Sequence, residues 1–474
     1  MPDATGGTPA DRLFRLRKRP LLTNATGADK ALFGSFRAAA PAALAHQDRV
    51  LSTASTAPQG AGTPPRSFAA LRHSGFRAYL TGNALAMMAD SVEHVITYWV
   101  AFQKFHSPAL GGFAVVSHWL PFLLFSTLSG ALADRVDPRR LVQIGMGLFM
   151  FCSLAWSVLI LTDSLQMWHA AVLLLIHGCA GVFWGPPGQL LIHDIVGPTQ
   201  LPSAVRLMAT SRYLGLLAGP AVGAIFLLGL GAPHGLMVNA ALYLPLMLWL
   251  WKAPYGPRFR APSTTPPAAI RGLSDIIATA RAISAQRTIV SMILLSGSAS
   301  LIVANAYQAQ MPEFGRDLGH GDAGVMYSAL LAADAAGALT GGIVLESRGL
   351  PPNPRTAFAL AMLWCCAIAG FALTSFYPLA LAILFAAGFL ELSFNSMAQA
   401  LVQINAPPPI RGRVIGLYSM AGLGLRAFSG VTVGILGGVI GIHWSLSLSA
   451  LTLLALLALL FGVAPARPVP QAAK

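Results

Sequence analysis

Residues 110–161 read LGGFAVVSHWLPFLLFSTLSGALADRVDPRRLVQIGMGLFMFCSLAWSVLIL. Two apolar runs, 110–132 and 140–161, flank a short charged stretch, Asp134-Arg135-Val136-Asp137-Pro138-Arg139-Arg140. A helix needs about 20 apolar residues to cross the hydrocarbon core of a bilayer, so either run can cross it. The charged stretch between them fits only a tight connection at the membrane surface. The same alternation continues through the chain, with further apolar stretches at 77–101, 167–191, 207–230, 234–251, 288–310, 322–345, 356–376, 378–402, 413–438 and 441–463. No ten-residue alternating pattern appears, and hydrocarbon admits only helices or closed barrels, so all twelve stretches predict helices.

Composition leads to the same reading. Of the 474 residues, 55% are hydrophobic and 10% charged, with a mean hydropathy of +0.64. A water-soluble domain needs roughly 25% charged residues to cover its surface. The four cysteines, Cys152, Cys179, Cys365 and Cys366, lie in apolar runs and read as packing residues, not as a disulfide framework.

The net charge of +14 could suggest nucleic acid, but membrane insertion explains how it is distributed. Of 31 Lys and Arg, Lys104 and Arg316 fall on one side and Arg426 within a stretch, and the rest are assigned to the other side. The positive-inside rule then places both termini in the cytoplasm, which requires an even number of crossings. Residues 1–70, rich in Ala, Pro, Thr, Gly and Arg and without a signal-peptide core, predict a disordered basic cytoplasmic tail. Six crossings (71–251), a Pro-rich basic linker (252–287), six more crossings (288–463) and a C-terminal tail (464–474) complete the expected organisation.

Internal repetition supports two equivalent halves. Gly215, Gly219 and Gly223 in the fifth stretch recur as Gly430, Gly434 and Gly438 in the eleventh. Glycine every fourth residue lines one helix face and lets a neighbouring helix come close. The stretch Gly130-Ala-Leu-Ala-Asp134-Arg135, followed by Arg139 and Arg140, has a degenerate copy at Gly342-Ile-Val-Leu-Glu346-Ser-Arg348, with Arg355 beyond it.

The Gly130–Arg140 pattern resembles the loop signature of the major facilitator superfamily. Gly215-Leu-Leu-Ala-Gly219-Pro220-Ala-Val-Gly223 is similar to an element of its antiporter members. Phe76-Arg77-Ala-Tyr79-Leu-Thr-Gly82-Asn83, Trp184-Gly185-Pro186-Pro187 and Leu201-Pro202-Ser203-Ala204-Val205 narrow the resemblance, over about residues 72–463, to the transmembrane secretion effector branch. That resemblance implies an all-α membrane fold of twelve helices in two pseudo-symmetric halves. It implies a secondary transporter working by alternating access, with Asp134 and Arg135 as a charge latch at the cytoplasmic mouth. Export of a siderophore or hydrophobic drug-like molecule by proton antiport follows from the same likeness.

Ionisable residues inside a crossing are costly and normally face the protein interior or a wet cavity. Asp90, Glu93 and His94 share one face of the first helix and suit proton coupling, because a buried acid and an imidazole can exchange a proton near neutral pH. His118, His177, Asp334, Glu391 and Arg426 lie deep in other stretches, and Arg426 could neutralise Asp334 or Glu391. Asn395, Gln399 and Gln403 continue a polar face from Glu391, while Trp119, Trp184 and Tyr213 offer aromatic surface. No phosphate-binding glycine loop, spaced His/Cys metal cluster or nucleophile elbow is present, so neither an enzyme, a cofactor nor a bound metal is expected. The expected partners are a small molecule, protons and the lipid bilayer, with the chain monomeric. An uptake symporter of the same fold, or a scaffold acting through the basic tail, are the alternatives.

Overall fold

The computed structural model describes residues 67–259, 270, 272, 274–303, 306–318, 323–430, 433 and 436–462. Nearly all of the basic tail, most of the Pro-rich linker and Gly434 lie outside the described residues. Among those described there is no strand, and the chain forms helices throughout. The first half contains α1 (Ser74–Phe105), α2 (Pro108–Arg135), α3 (Pro138–Leu161), α4 (Met167–Leu242) and α5 (Leu244–Lys252). A short α6 (Ser274–Ile283) lies in the linker. The second half contains α7 (Arg287–Ile302), α8 (Ala306–Leu318), α9 (Ala323–Ser347), α10 (Pro354–Leu373) and α11 (Tyr377–Asn405). It ends with α12 (Arg411–Ser419), α13 (Arg426–Gly430), α14 (Leu436–Ile440) and α15 (Ile442–Phe461).

α4 has 76 residues. At 1.5 Å per residue a straight helix of that length would run about 110 Å, several times the bilayer core. Gly197 (φ 69°) and Gly231 (φ 76°) interrupt it. Both adopt the positive-φ backbone that glycine tolerates best, and they divide α4 into legs matching the fourth, fifth and sixth apolar stretches. With these breaks and the interrupted eleventh stretch, the helices are consistent with twelve crossings. Seven described segments are long and apolar enough to cross a membrane by themselves. α1, which carries Asp90, Glu93 and His94, is not among them.

Helix starts repeat between the halves. Asp137 caps α3, its side chain accepting from the Arg139 N–H with Pro138 at the first helical position. Asn353 caps α10 in the same way, accepting from Arg355 and Thr356 with Pro354 first. An Asx–Pro pair fixes both the chain direction and the first φ angle, so the two loops open their following helices alike.

One apolar core joins Ile283 to Leu457, two others lie within 70–250 apart from Ala400, and a small fourth packs Ala133, Leu141 and Leu190 against Ile415 of the second half. Outside these cores apolar side chains stand exposed, Leu228 at 87% and Val439 at 79% among them, as expected where lipid is the solvent.

Glycine spacing is only partly equivalent between the halves. A Cβ at Gly215 would lie 2.9 Å from the Met87 Cβ, one at Gly223 would lie 3.1 Å from the Val95 Cβ, and one at Gly219 would collide with Ser91. The fifth crossing therefore packs closely on α1. At Gly438 no atom lies within 4 Å of a Cβ position, so the eleventh crossing does not repeat the contact there.

Candidate functional site

His177 organises the first-half cluster. Its Nε2 lies 2.9 Å from Asp90 Oδ1 and its Nδ1 2.8 Å from Glu93 Oε1. Glu93 also accepts from the Ser153 hydroxyl, which in turn accepts from the Asn239 amide at 3.2 Å. The His94 Nδ1 is 2.7 Å from the Asp90 carbonyl oxygen. The three residues chosen on α1 thus meet, and the fourth crossing supplies the imidazole that links the two carboxylates. His94 and His118 lie with ring centroids 5.0 Å apart, and His94 and His177 4.7 Å apart.

In the second half Asp334 and Glu391 meet through a residue the sequence reading did not single out. The Tyr307 hydroxyl lies 3.0 Å from Glu391 Oε2 and 3.3 Å from Asp334 Oδ2. Arg426 donates from Nε to the Gly422 carbonyl at 3.1 Å, and its guanidinium lies 5.3 Å from the Trp119 ring centroid of the other half.

A central cavity joins the two clusters. Asp90, His118, Trp119, Trp184 and Tyr213 line it from the first half, and Glu391, Asn395, Gln399 and Arg426 from the second. Arg212 lines it too and is exposed to it. Arg212 lies inside the fifth apolar stretch, 207–230, although the charge count assigns it to a basic loop. A guanidinium can be housed in a crossing where it faces a cavity.

Beneath the cavity the halves close on each other at the face carrying the 134–140 loop. The Gln403 amide donates to Gln189 at 3.1 Å, and Gln189 donates to the Ser419 hydroxyl at 3.4 Å. Lower down, Asp134 accepts from the backbone N–H groups of Gly412 (2.6 Å) and Arg413 (3.1 Å). This is a carboxylate at the N-terminus of α12, where free amides and the helix dipole favour negative charge. Arg135, expected to share the latch, is exposed. Arg139 bonds Asp137 and the Ala253 carbonyl of its own half, and Arg140 reaches Gln143 at 3.4 Å. Burial opposes the charge of Asp137, but bonds from the Arg139 side chain and backbone outweigh it and hold its carboxyl below the ordinary value.

Close glycine contact makes this seal possible. A Cβ on Gly412 would strike Gly130, one on Gly416 would strike Ser126, and one on Gly424 would come 2.5 Å from Leu123. Gly412, Gly416 and Gly424 keep a four-residue register, the same signal that singled out Gly215 and Gly219. They pack the eleventh crossing against α2 across the halves. Glu346 makes the corresponding contact from the second half. It accepts from Arg206 Nε at 2.7 Å and from the Ser203 hydroxyl, and Arg206 also donates to the Leu350 carbonyl at 3.0 Å. Residues 67–72 pack here as well, Ser67 donating to the Ser347 carbonyl at 2.6 Å and the Ala70 N–H to Ser203 at 3.2 Å.

Two sets of helices line a cavity, and a helix-end carboxylate from each set bonds the other. A family model described as transmembrane secretion effector matches residues 65–471. The chain belongs to that family. The crystal structure of the human organic anion transporter MFSD10 (TETRAN) is similar in fold, at 16% identity and a TM-score of 0.64 over 81% of this chain and 99% of that one. Two crystal structures of FucP share the fold, one of a variant of the E. coli fucose:proton symporter and one in the outward conformation. Both align with 12% identity and a TM-score of 0.64 over 84% of this chain, covering 99% and 100% of the respective FucP chains. No curated protein matches the chain. The fold is all-α and integral to the membrane, of the major facilitator type, and the family is one of secondary transporters.

Proposed function

We propose that this transporter is a proton-coupled exporter of a siderophore or an aromatic, drug-like molecule bearing an anionic group. The observation that carries the reading is the cavity wall. Trp119, Trp184 and Tyr213 offer ring surface beside the guanidiniums of Arg212 and Arg426, and among the described residues no hydrogen bond or ion pair is found for the Arg212 side chain. An anionic substrate compensates a guanidinium in this setting, and the rings take up its apolar part. The family's description as a secretion effector and the Gly215–Gly223 element favour export.

Coupling is assigned to the Asp90–His177–Glu93 chain, which can hold or release a proton at the cavity edge, with Glu391 and Tyr307 as its second-half counterpart. The basic 134–140 face is cytoplasmic, so the chain as described is shut to the cytoplasm. A proton arriving from outside reaches Asp90, substrate leaves, and the halves then rock about the cavity to reopen inward. The protein works as a monomer in a bacterial inner membrane with both termini inside.

Everted membrane vesicles test direction and coupling together. Acidifying the lumen should drive accumulation of a siderophore or dye probe. Asp90→Asn and Arg212→Gln should each lower the initial rate at least about tenfold, equivalent to roughly 1.4 kcal/mol. Uptake into intact cells without accumulation in everted vesicles would make the chain an importer, and accumulation unchanged in both variants would refute the site.

A further inference from the structure

We infer that His94, His118 and His177, with Asp90 as fourth donor, form a binding site for a divalent transition-metal ion at the wall of the cavity. One ring nitrogen from each of the three histidines lies within 4.8 Å of the other two. They come from α1, α2 and the first leg of α4, so no spacing within one segment could announce the cluster, and the sequence reading expected no metal.

Three features distinguish the cluster from a self-satisfied hydrogen-bond network. The His118 Nδ1 is buried without a hydrogen-bond partner. The His94 Nδ1 lies 2.7 Å from a backbone carbonyl, which can only accept, so Nδ1 carries the proton and Nε2 keeps its lone pair. The His177 Nδ1 is held by Glu93, itself held by Ser153 and Asn239. A carboxylate behind a histidine, with its own supporting bonds, is the outer shell that orients an imidazole toward a metal.

An ion would draw the histidine donors together from separations of up to 4.8 Å. At a metal–nitrogen distance of about 2.0–2.1 Å, neighbouring tetrahedral donors sit about 3.3 Å apart. His177 Nε2 and Asp90 Oδ1 are 2.9 Å apart. An ion placed between them replaces the proton they share, which leaves to water in the cavity, and the pair opens by a few tenths of an ångström. Neutral imidazoles with one carboxylate select zinc, cobalt, nickel or copper(II) over magnesium or calcium, which take oxygen ligands. Asp90 and His118 line the cavity, which gives the ion its way in.

The cluster shares Asp90 with the coupling site proposed above, but metal binding is read without substrate or flux, so either assignment can fail alone. The test uses purified full-length protein without a polyhistidine tag, titrated with Co²⁺ and followed by visible absorption. One equivalent should give a tetrahedral d–d band that Zn²⁺ abolishes. His118→Asn and His94→Asn should each remove the band or weaken Co²⁺ binding more than about tenfold, and Glu93→Gln should weaken it by about 10–100-fold through the outer shell. His234→Asn, at an exposed position, should leave the titration unchanged. Thermal melting identifies any variant that fails to fold, and Glu93→Gln, which preserves size, supplies a readout if a histidine variant does. Absence of the band in the parent protein, or a band that survives in all folded cluster variants, would overturn the assignment.

Discussion

Asp134 and Glu346 lie at corresponding helix ends 212 residues apart (134 to 346), and each reaches from its own half to the start of a crossing in the other. What they grip there differs. Asp134, half-buried, takes two backbone N–H groups at the start of α12, while Glu346, fully buried, takes the Arg206 guanidinium and a serine hydroxyl. Arg413, whose backbone N–H Asp134 takes, turns its guanidinium toward Asp275 of the linker, 3.5 Å away. One latch therefore includes main-chain dipoles, and the other a pair of charges withdrawn from water. Breaking the first removes the acceptor from two amides of buried residues. Breaking the second strands a charge, so the two halves should respond unequally to equivalent substitutions.

The largest effect is expected at Glu346. Glu346→Ala leaves Arg206 buried and unpaired, and losing one member of such a pair typically costs about 3–5 kcal/mol. Thermal unfolding in detergent should show it, and the double variant Glu346→Leu with Arg206→Met should recover most of the loss. If the double variant is as unstable as the single, the stranded charge is not the cause and the contrast between the latches fails.

A smaller effect is expected at Asp134. Asp134→Ala removes the acceptor for two amides and should cost about 1–3 kcal/mol, with Asp134→Asn intermediate because one acceptor oxygen remains. Since both amides belong to the other half, the loss should favour separation at this face more than unfolding. In a background lacking the four native cysteines, a cysteine at position 189 should be labelled faster by a polar maleimide in Asp134→Ala than in its parent. Equal labelling would mean that the Gly412, Gly416 and Gly424 contacts hold the face shut without the carboxylate.

The crossings, the duplication and the Asp134 loop were legible in the sequence because lipid dictates length and apolarity, and because glycine and charge stand out against that background. The pairing of Asp90 with Glu93 followed from helical spacing. His177, Tyr307 and Arg212 were harder to place, since what brings them to the cavity is how separate helices cross, which no local period encodes. Glu346 looked like an eroded copy because Ser347 stands where the first loop has Arg135, and its partner Arg206 lies 140 residues away, beyond any local pattern. The Gly412–Gly424 register was present in the chain, but the more regular Gly430–Gly438 spacing, six residues further on, resembles Gly215–Gly223 more closely.

The smallest expected effect separates the latches from the ordinary charges of the same loop. Asp137 and Arg139 lie three to five residues beyond Asp134, yet their bonds stay within one half. The Asp137 carboxyl is held below its ordinary value of 3.8, so it binds fewer protons folded than unfolded near that pH. Its stabilising contribution is complete above the ordinary aspartate range and disappears as pH falls below it. A partly solvated pair of this kind contributes less than about 1 kcal/mol. Asp137→Asn should therefore lower the melting temperature slightly at pH 7, and the difference from the parent should shrink as pH approaches 3. Labelling at position 189 should not change, because nothing that Asp137 holds crosses between the halves. Faster labelling in Asp137→Asn would mean that the loop moves as a unit and that Asp134 does not act on the opposite half alone.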